Sequence, residues 1–179
     1  METLRITQSK PTTCGSEPRL GVDIGRVIIE GDGPDTSFVG GSEEEALRAP
    51  EVRGAFEALT RLRLQFGGQI WLVSKCGKRV EARTRLWLAR RRFFETTGID
   101  AEHLIFCRAR PEKAPICAAL GITCFVDDRW DVLAAMAGVV PHRILFGADV
   151  APETGVIPSA TWERAESSIL SVSSHQAGG

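Results

Sequence analysis

Short, continuous apolar runs recur along the chain and alternate with longer stretches of helical periodicity. Two of these runs cover residues 70–73 and 124–126. Neither run alternates between apolar and polar residues, as a strand with one solvated face would. Strands without such alternation are buried on both faces, which is typical of parallel sheets flanked by helices. The sequence therefore predicts an α/β fold, a three-layer α/β/α sandwich around a central parallel sheet.

Five strands and four helices are predicted from this alternation. The predicted strands are the segments LGVDI, GQIWLVS, HLIFC, TCFVDD and HRILF. The predicted helices are the segments PEVRGAFEALTRLRLQF, KRVEARTRLWLARRRFF, PEKAPICAALG and RWDVLAAMAG. The strands and helices follow one another in the order that parallel sheets require, since a helix returns the chain to the starting edge.

One folded domain is expected, over residues 19–166. A chain of 179 residues with 43% hydrophobic side chains can bury one good core and has no room for a second domain. Residues 1–18 and 167–179 are polar or small. We therefore predict a flexible N-terminal segment and a flexible C-terminal tail.

Composition limits the partners and the compartment. With 22 basic and 23 acidic side chains, the formal net charge is -1, so nucleic acid is not favoured as the main partner. No window approaches the roughly 18 apolar residues of a membrane span. The five cysteines form no C-x-x-C pair, which favours reduced thiols over disulfides or zinc. We expect a soluble, cytoplasmic protein without a membrane partner.

Polar side chains stand at the ends of three predicted strands. Asp23 follows the first strand, Ser74 and Lys75 follow the second, and Asp127 and Asp128 follow the fourth. Ligands of parallel α/β sheets bind beyond the carboxyl ends of the strands. These side chains are therefore expected to share one edge of the sheet, although each is also compatible with the simple polar end of a buried strand.

Lys113 begins a predicted helix and completes a set of groups suited to phosphoryl chemistry. A carboxylate can attack phosphorus to form an acyl phosphate, and a hydroxyl and an ammonium can neutralise phosphate oxygens. Paired acids can hold a divalent cation. Hard oxygen ligands without a histidine cluster favour Mg²⁺ as the cofactor.

Four segments in this order resemble the motifs of the haloacid dehalogenase-like (HAD) superfamily of hydrolases. They are VDIGRVI, IWLVS, RPEKAPI and CFVDDRWDVL, and together they extend from Val22 to about Leu133. The resemblance implies a Rossmann-like version of the predicted sandwich and a phosphatase activity. The Trp-Leu pair in the second predicted helix and the segment DDR are also loosely similar to the deoxyribonucleotidase branch.

The resemblance implies a role for each matching residue. Asp23 would be the catalytic nucleophile, Ser74 would bind the transferring phosphoryl group, and Lys113 would neutralise its charge. Metal contacts would come from the residues Asp23, Gly25, Asp127 and Asp128. Within the acidic pair, Asp128 is favoured as the ligand, with Asp127 orienting Lys113 or a metal-bound water. The candidate substrate-binding residues are Arg26, Ser74, Lys75 and Arg79.

Gly25 departs from the family pattern, because phosphomonoesterases of this family mostly have a second aspartate there. That aspartate acts as general acid and base, which is worth roughly 100-fold to 10,000-fold in rate. Three alternatives stay open. Water or substrate supplies the proton, the protein acts on carbon or phosphonate, or the domain has lost catalysis and kept binding.

Neither segment between the first three motifs is long enough for a cap domain. An open site favours a large substrate, or closure by a partner subunit or by the Gly-rich segment 30–50. Residues 75–92 carry eight basic side chains and one acid, Glu81. They form either a solvated helix face or a basic wall that receives a polyanion. The expected partner is a phosphorylated small molecule or nucleotide, and an uncapped site is compatible with a homo-oligomer.

Overall fold

The computed structural model of the chain describes residues 17–31, 41–152 and 154–176. The strands are β1 (Leu20–Val22), β2 (Ile70–Lys75), β3 (Leu104–Cys107), β4 (Cys124–Asp127), β5 (His142–Phe146) and β6 (Val156–Ser159). The helices are α1 (Glu43–Arg48), α2 (Ala55–Gln65), α3 (Lys78–Arg90), α4 (Phe93–Thr97), α5 (Lys113–Leu120), α6 (Trp130–Ala135) and α7 (Trp162–Gln176). Short 3-10 turns at Ala101–His103 and Arg110–Glu112 flank β3.

The six strands form one parallel sheet in the order β3-β2-β1-β4-β5-β6. This confirms the predicted α/β class and the central parallel sheet. Strand β1 lies in the middle, and the chain passes from the edge strand β3 through α5 to β4 on the other side of β1. The strand order therefore reverses between β1 and β4, which is where open α/β sheets form a ligand-binding crevice.

Two apolar clusters cover the opposite faces of the sheet. Leu72 belongs to the cluster that includes side chains of α2, α3 and α7. Its neighbours Trp71 and Val73 belong to the cluster that includes side chains of α5 and α6. Successive residues of a strand point to opposite faces. Because both faces are covered, residues 70–73 are all apolar, and the three-layer arrangement is confirmed.

The C-terminal boundary of the domain lies further along the chain than the sequence predicted. Helix α7 runs to Gln176, through most of the segment expected to be a flexible tail. Ile169 is fully buried, and Leu170 and Val172 pack against the core. These few apolar residues stand among serines, so the segment appeared polar. Residues 1–16 and 177–179, also predicted to be flexible, lie outside the described part of the chain.

Strand β6 and helix α1 were not predicted either. Pro158 lies within β6, and proline is tolerated there because β6 is an edge strand with one unpaired side. Helix α1 begins with a capping box in which Ser42 and Glu45 satisfy each other's backbone amides.

None of the described helices combines the length and the apolar character that crossing a membrane requires.

Candidate functional site

Three aspartates meet at the carboxyl ends of the central strands. Asp23 directly follows β1, Asp127 ends β4, and Asp128 comes next. The backbone N–H of Asp23 donates to the carbonyl of Val126 at 2.9 Å, which continues the pairing of the two strands. One carboxylate oxygen from each aspartate lies within 4.8 Å of the others, so the group could hold a metal ion.

The turn after β1 directs Arg26 toward this group. The carbonyl of Ile24 accepts hydrogen bonds from the amides of Ile28 at 2.9 Å and Ile29 at 3.0 Å, and all three side chains are buried. Arg26 adopts a left-handed backbone conformation with φ of 59°, which few residues other than glycine adopt. Its guanidinium forms an ion pair with Asp128.

Lys113 joins two of the aspartates. It is the first residue of α5, and its side chain is only 3% exposed. Its Nζ lies 2.7 Å from Oδ2 of Asp127 and 3.0 Å from Oδ1 of Asp23. Burial alone would lower the pKa of Lys113, but the charges of Asp23 and Asp127 outweigh it and the pKa is raised. Lys113 is therefore a positive charge fixed beside Asp23.

Both carboxylate oxygens of Asp127 accept a hydrogen bond. Oδ2 accepts from Lys113, and Oδ1 accepts a hydrogen bond from the backbone N–H of Arg129 at 2.9 Å. The side chain is fully buried. Burial and the negative charge of Asp23 raise the pKa of Asp127 above its usual range. Its contacts suit Asp127 to positioning Lys113.

A cavity of about 260 Å³ opens in front of Asp23. It is lined by the residues Asp23, Gly25, Arg26, Ser74, Lys75, Cys76, Gly77, Val80, Arg110, Lys113, Asp128, Arg129 and Val132. Asp23 and Ser74 are each 8% exposed, so both present little more than one face to the cavity. Strands β1 and β2 thus bring a carboxylate and a hydroxyl to the same small space.

Most of the residues predicted for the site line this cavity, but two do not. Asp127 is absent from the lining and lies in contact with Lys113. Arg79 is also absent from the lining, and its guanidinium donates a hydrogen bond to the carbonyl of Gly41 at 3.2 Å. Arg79 is thus not brought to the cavity with the other candidate substrate-binding residues.

Of the eight basic residues in the stretch 75–92, only Lys75 lines the cavity. Buried Arg83 donates to the same Gly41 carbonyl at 3.1 Å, and Arg91 donates to the carbonyl of Ala49 at 2.9 Å. Arg85 pairs with Glu81 at 3.0 Å. These contacts favour a structural role for the arginines of α3 over a wall that receives a polyanion.

Two arginines of the cavity were not among the predicted site residues. Arg129 directly follows the acidic pair, and Arg110 lies three residues before Lys113 in the turn that begins α5. Nε of Arg129 lies 3.1 Å from Oδ1 of Asp131. A signal was available in both cases, since Arg129 adjoins Asp128 and Arg110 lies three residues from Lys113, each in a segment that follows a strand.

Cys76 also lines the cavity, and its thiol is the other side chain there to be compared with Asp23 as a nucleophile. Burial, followed by the charge of Glu81, raises its pKa to about 11. Nucleophilic attack by cysteine requires the thiolate. Among the described residues of the cavity, Asp23 is therefore the better nucleophile.

Comparison of the sequence with protein-family models found no match, and comparison with curated proteins found none either.

Proposed function

We propose that this protein is a magnesium-dependent phosphohydrolase of the HAD-like class, which cleaves phosphate esters through an aspartyl-phosphate on Asp23. The observation that carries the proposal is the position of Lys113 between Asp23 and Asp127, at a cavity that Ser74 and Asp128 also line. A nucleophile, a fixed positive charge, a hydroxyl and a further carboxylate are the groups that phosphoryl transfer needs.

The residues present fit a magnesium ion. Oδ1 of Asp23 is buried and has no aligned hydrogen-bond donor among the described residues, although Lys113 lies nearby. Asp23 and Asp128 would hold the metal, with the carbonyl of Gly25 as a third contact, because both oxygens of Asp127 are already engaged. Bound Mg²⁺ would neutralise charge on the phosphate oxygens.

In the first step, a carboxylate oxygen of Asp23 attacks the substrate phosphorus, and the bond between phosphorus and the leaving oxygen breaks. Lys113 and Ser74 stabilise the charge on the transferring phosphoryl group. The leaving oxygen takes its proton from water or from the substrate, because Gly25 has none to give. In the second step, water attacks the phosphorus of the aspartyl-phosphate, which releases inorganic phosphate and restores Asp23.

A second candidate function is supported by Gly25. With no acid at this position, the same site suits a protein that binds a phosphorylated ligand without turning it over. Lys113, Ser74 and the aspartates would then serve recognition alone.

One experiment separates the two candidates. Purified protein with Mg²⁺ is incubated with a panel of phosphate esters, beside the variants Asp23→Asn and Asp100→Asn; Asp100 is an exposed aspartate before the amino end of β3 and outside the cavity lining. Phosphate release that is lost in Asp23→Asn and kept in Asp100→Asn supports the hydrolase. No release from any ester, together with Mg²⁺-dependent stabilisation of the wild type by beryllofluoride, supports the binding protein.

A further inference from the structure

With a divalent cation at its aspartates, the cavity would carry more positive charge than a single phosphate group needs. Its lining contains the basic residues Arg26, Lys75, Arg110, Lys113 and Arg129, against the acidic residues Asp23 and Asp128. Asp127 pairs with Lys113 and Asp131 pairs with Arg129 from outside the lining, so five basic and four acidic side chains leave a formal excess of one positive charge. A divalent cation would raise this excess to three, whereas a phosphate monoester brings only about two negative charges.

The basic residues divide into two groups according to their position on the sheet. Lys113 and Arg26 are held against the aspartates that follow β1 and β4. Lys75 ends β2, and Arg110 lies in the turn after β3, on the opposite side of β1 from β4. The side chain of Lys75 is exposed and makes no ion pair or hydrogen bond with any described residue.

Arg108 fixes the two loops that carry Lys75 and Arg110. Its guanidinium donates to the carbonyl of Cys76 at 2.8 Å and forms an ion pair with Glu81 of α3. Its backbone N–H donates to the carboxylate of Glu112 at 2.9 Å. The loop after β2 and the loop after β3 are therefore tied together, and the subsite between them is preformed.

We propose that Lys75 and Arg110 form a second anion subsite on the β3 side of the cavity. The substrate is then a small phosphate ester whose leaving group carries a second anionic group, either a phosphate or a carboxylate. This inference rests on the proposed function for the identity of the reacting phosphate. The subsite itself concerns binding, and it can be tested without turnover.

The test compares matched esters in the presence of Mg²⁺. Values of kcat/KM are measured for propyl phosphate, propane-1,3-diyl bisphosphate and 3-carboxypropyl phosphate, which separate the phosphate and carboxylate sources of the second charge. We expect one or both doubly anionic esters to be preferred by about fivefold, which is the upper end of what an exposed ion pair contributes to affinity. Lys75→Ala and Arg110→Ala should each reduce the ratio toward one. Lys78→Ala should leave it unchanged, because exposed Lys78 is outside the lining.

A calorimetric titration tests the anion subsite separately from the proposed hydrolase activity. Wild type and Lys75→Ala are titrated with propyl phosphonate and with propane-1,3-diyl bisphosphonate, neither of which can be hydrolysed. If no ester is turned over, the hydrolase proposal fails, and a fivefold preference for the bisphosphonate that Lys75→Ala removes still supports the subsite. Equal affinities for the two phosphonates, or a preference that survives both Lys75→Ala and Arg110→Ala, overturn the subsite even where monoesters are hydrolysed.

Discussion

The ammonium of Lys113 lies 2.7 Å from Oδ2 of Asp127, and both side chains are buried. The pair joins the first residue of α5 to the last residue of β4. Breaking a buried ion pair from one side leaves an uncompensated charge. This contact therefore helps to hold the start of α5 against the end of β4, and with it the positive charge beside Asp23.

Replacing Lys113 should destabilise the fold as well as remove activity. Lys113→Ala leaves Asp127 buried without its ammonium partner and removes the positive charge that lies between Asp23 and Asp127. We expect the free energy of unfolding in urea to fall by about 3–5 kcal/mol. Lys78→Ala, which removes an exposed lysine, should change it by less than about 0.5 kcal/mol. A loss below about 1 kcal/mol for Lys113→Ala would contradict the structural role of the pair.

Magnesium should stabilise the folded protein through Asp128. A ligand that binds only the folded state raises the free energy of unfolding by about 2.7 kcal/mol at one hundred times its dissociation constant. The increase should largely disappear in Asp128→Asn and persist in Asp100→Asn, the same change at an exposed aspartate before the amino end of β3. Thermal unfolding with Mg²⁺ and with a chelator measures the difference. Equal stabilisation of both variants would argue against Asp128 as a ligand.

The absence of an acid at position 25 predicts a strong dependence on the leaving group. Without general acid catalysis, aryl phosphates should be hydrolysed much faster than alkyl phosphates, because the aryl oxygen leaves without first taking a proton. Gly25→Asp should raise the rate with alkyl phosphates by up to roughly 100-fold to 10,000-fold. Gly25→Asn is the matched control, since it adds similar volume but no acid. Similar rates in both variants would mean that the proton comes from elsewhere.

Glu81 should contribute to stability at neutral pH and lose this contribution in acid. Its hydrogen bonds with Arg108 and Arg85 lower its pKa below the ordinary 4.5. The stabilisation is therefore present above pH 4.5 and is lost as the pH falls through the lower pKa of the folded state. The free energy of unfolding of wild type minus that of Glu81→Gln should be about 1 kcal/mol or less near neutral pH, and should shrink below pH 4.5. A difference that stays constant as the pH falls below 4.5 would contradict this role of Glu81.

Gly21 is required by the close approach of Phe125 to β1. A Cβ atom at Gly21 would lie 2.7 Å from Cε2 of Phe125 and 3.2 Å from Cγ2 of Ile122, and both side chains are buried. Gly21→Ala should therefore lower the free energy of unfolding by about 1–3 kcal/mol. Gly77→Ala has open space around the new atom, so we expect a change of about 0.5 kcal/mol or less in chemical denaturation. Comparable effects at the two glycines would contradict this packing.

The central strands were predictable because strands buried on both faces need continuous apolar runs, and residues 70–73 and 124–126 are such runs. The last helix was not predictable from its periodicity, since Ile169 is fully buried in a segment that is otherwise rich in serine. Strand β6, which contains Pro158, was not predicted for a related reason. Proline argues against a strand in general, and only the place of β6 at the edge of the sheet makes it acceptable.

The class of fold and the side chains available at the strand ends both follow from local patterns of apolar and polar residues, so the sequence was enough to predict them. Which of these side chains meet depends on the tertiary structure. Lys113 contacts Asp23 and Asp127 because α5 starts beside the ends of β1 and β4, and Arg110 joins the cavity through the same helix start. The guanidinium of Arg79 instead donates a hydrogen bond to the backbone carbonyl of Gly41. Such contacts depend on distances across the sheet, which no local pattern encodes.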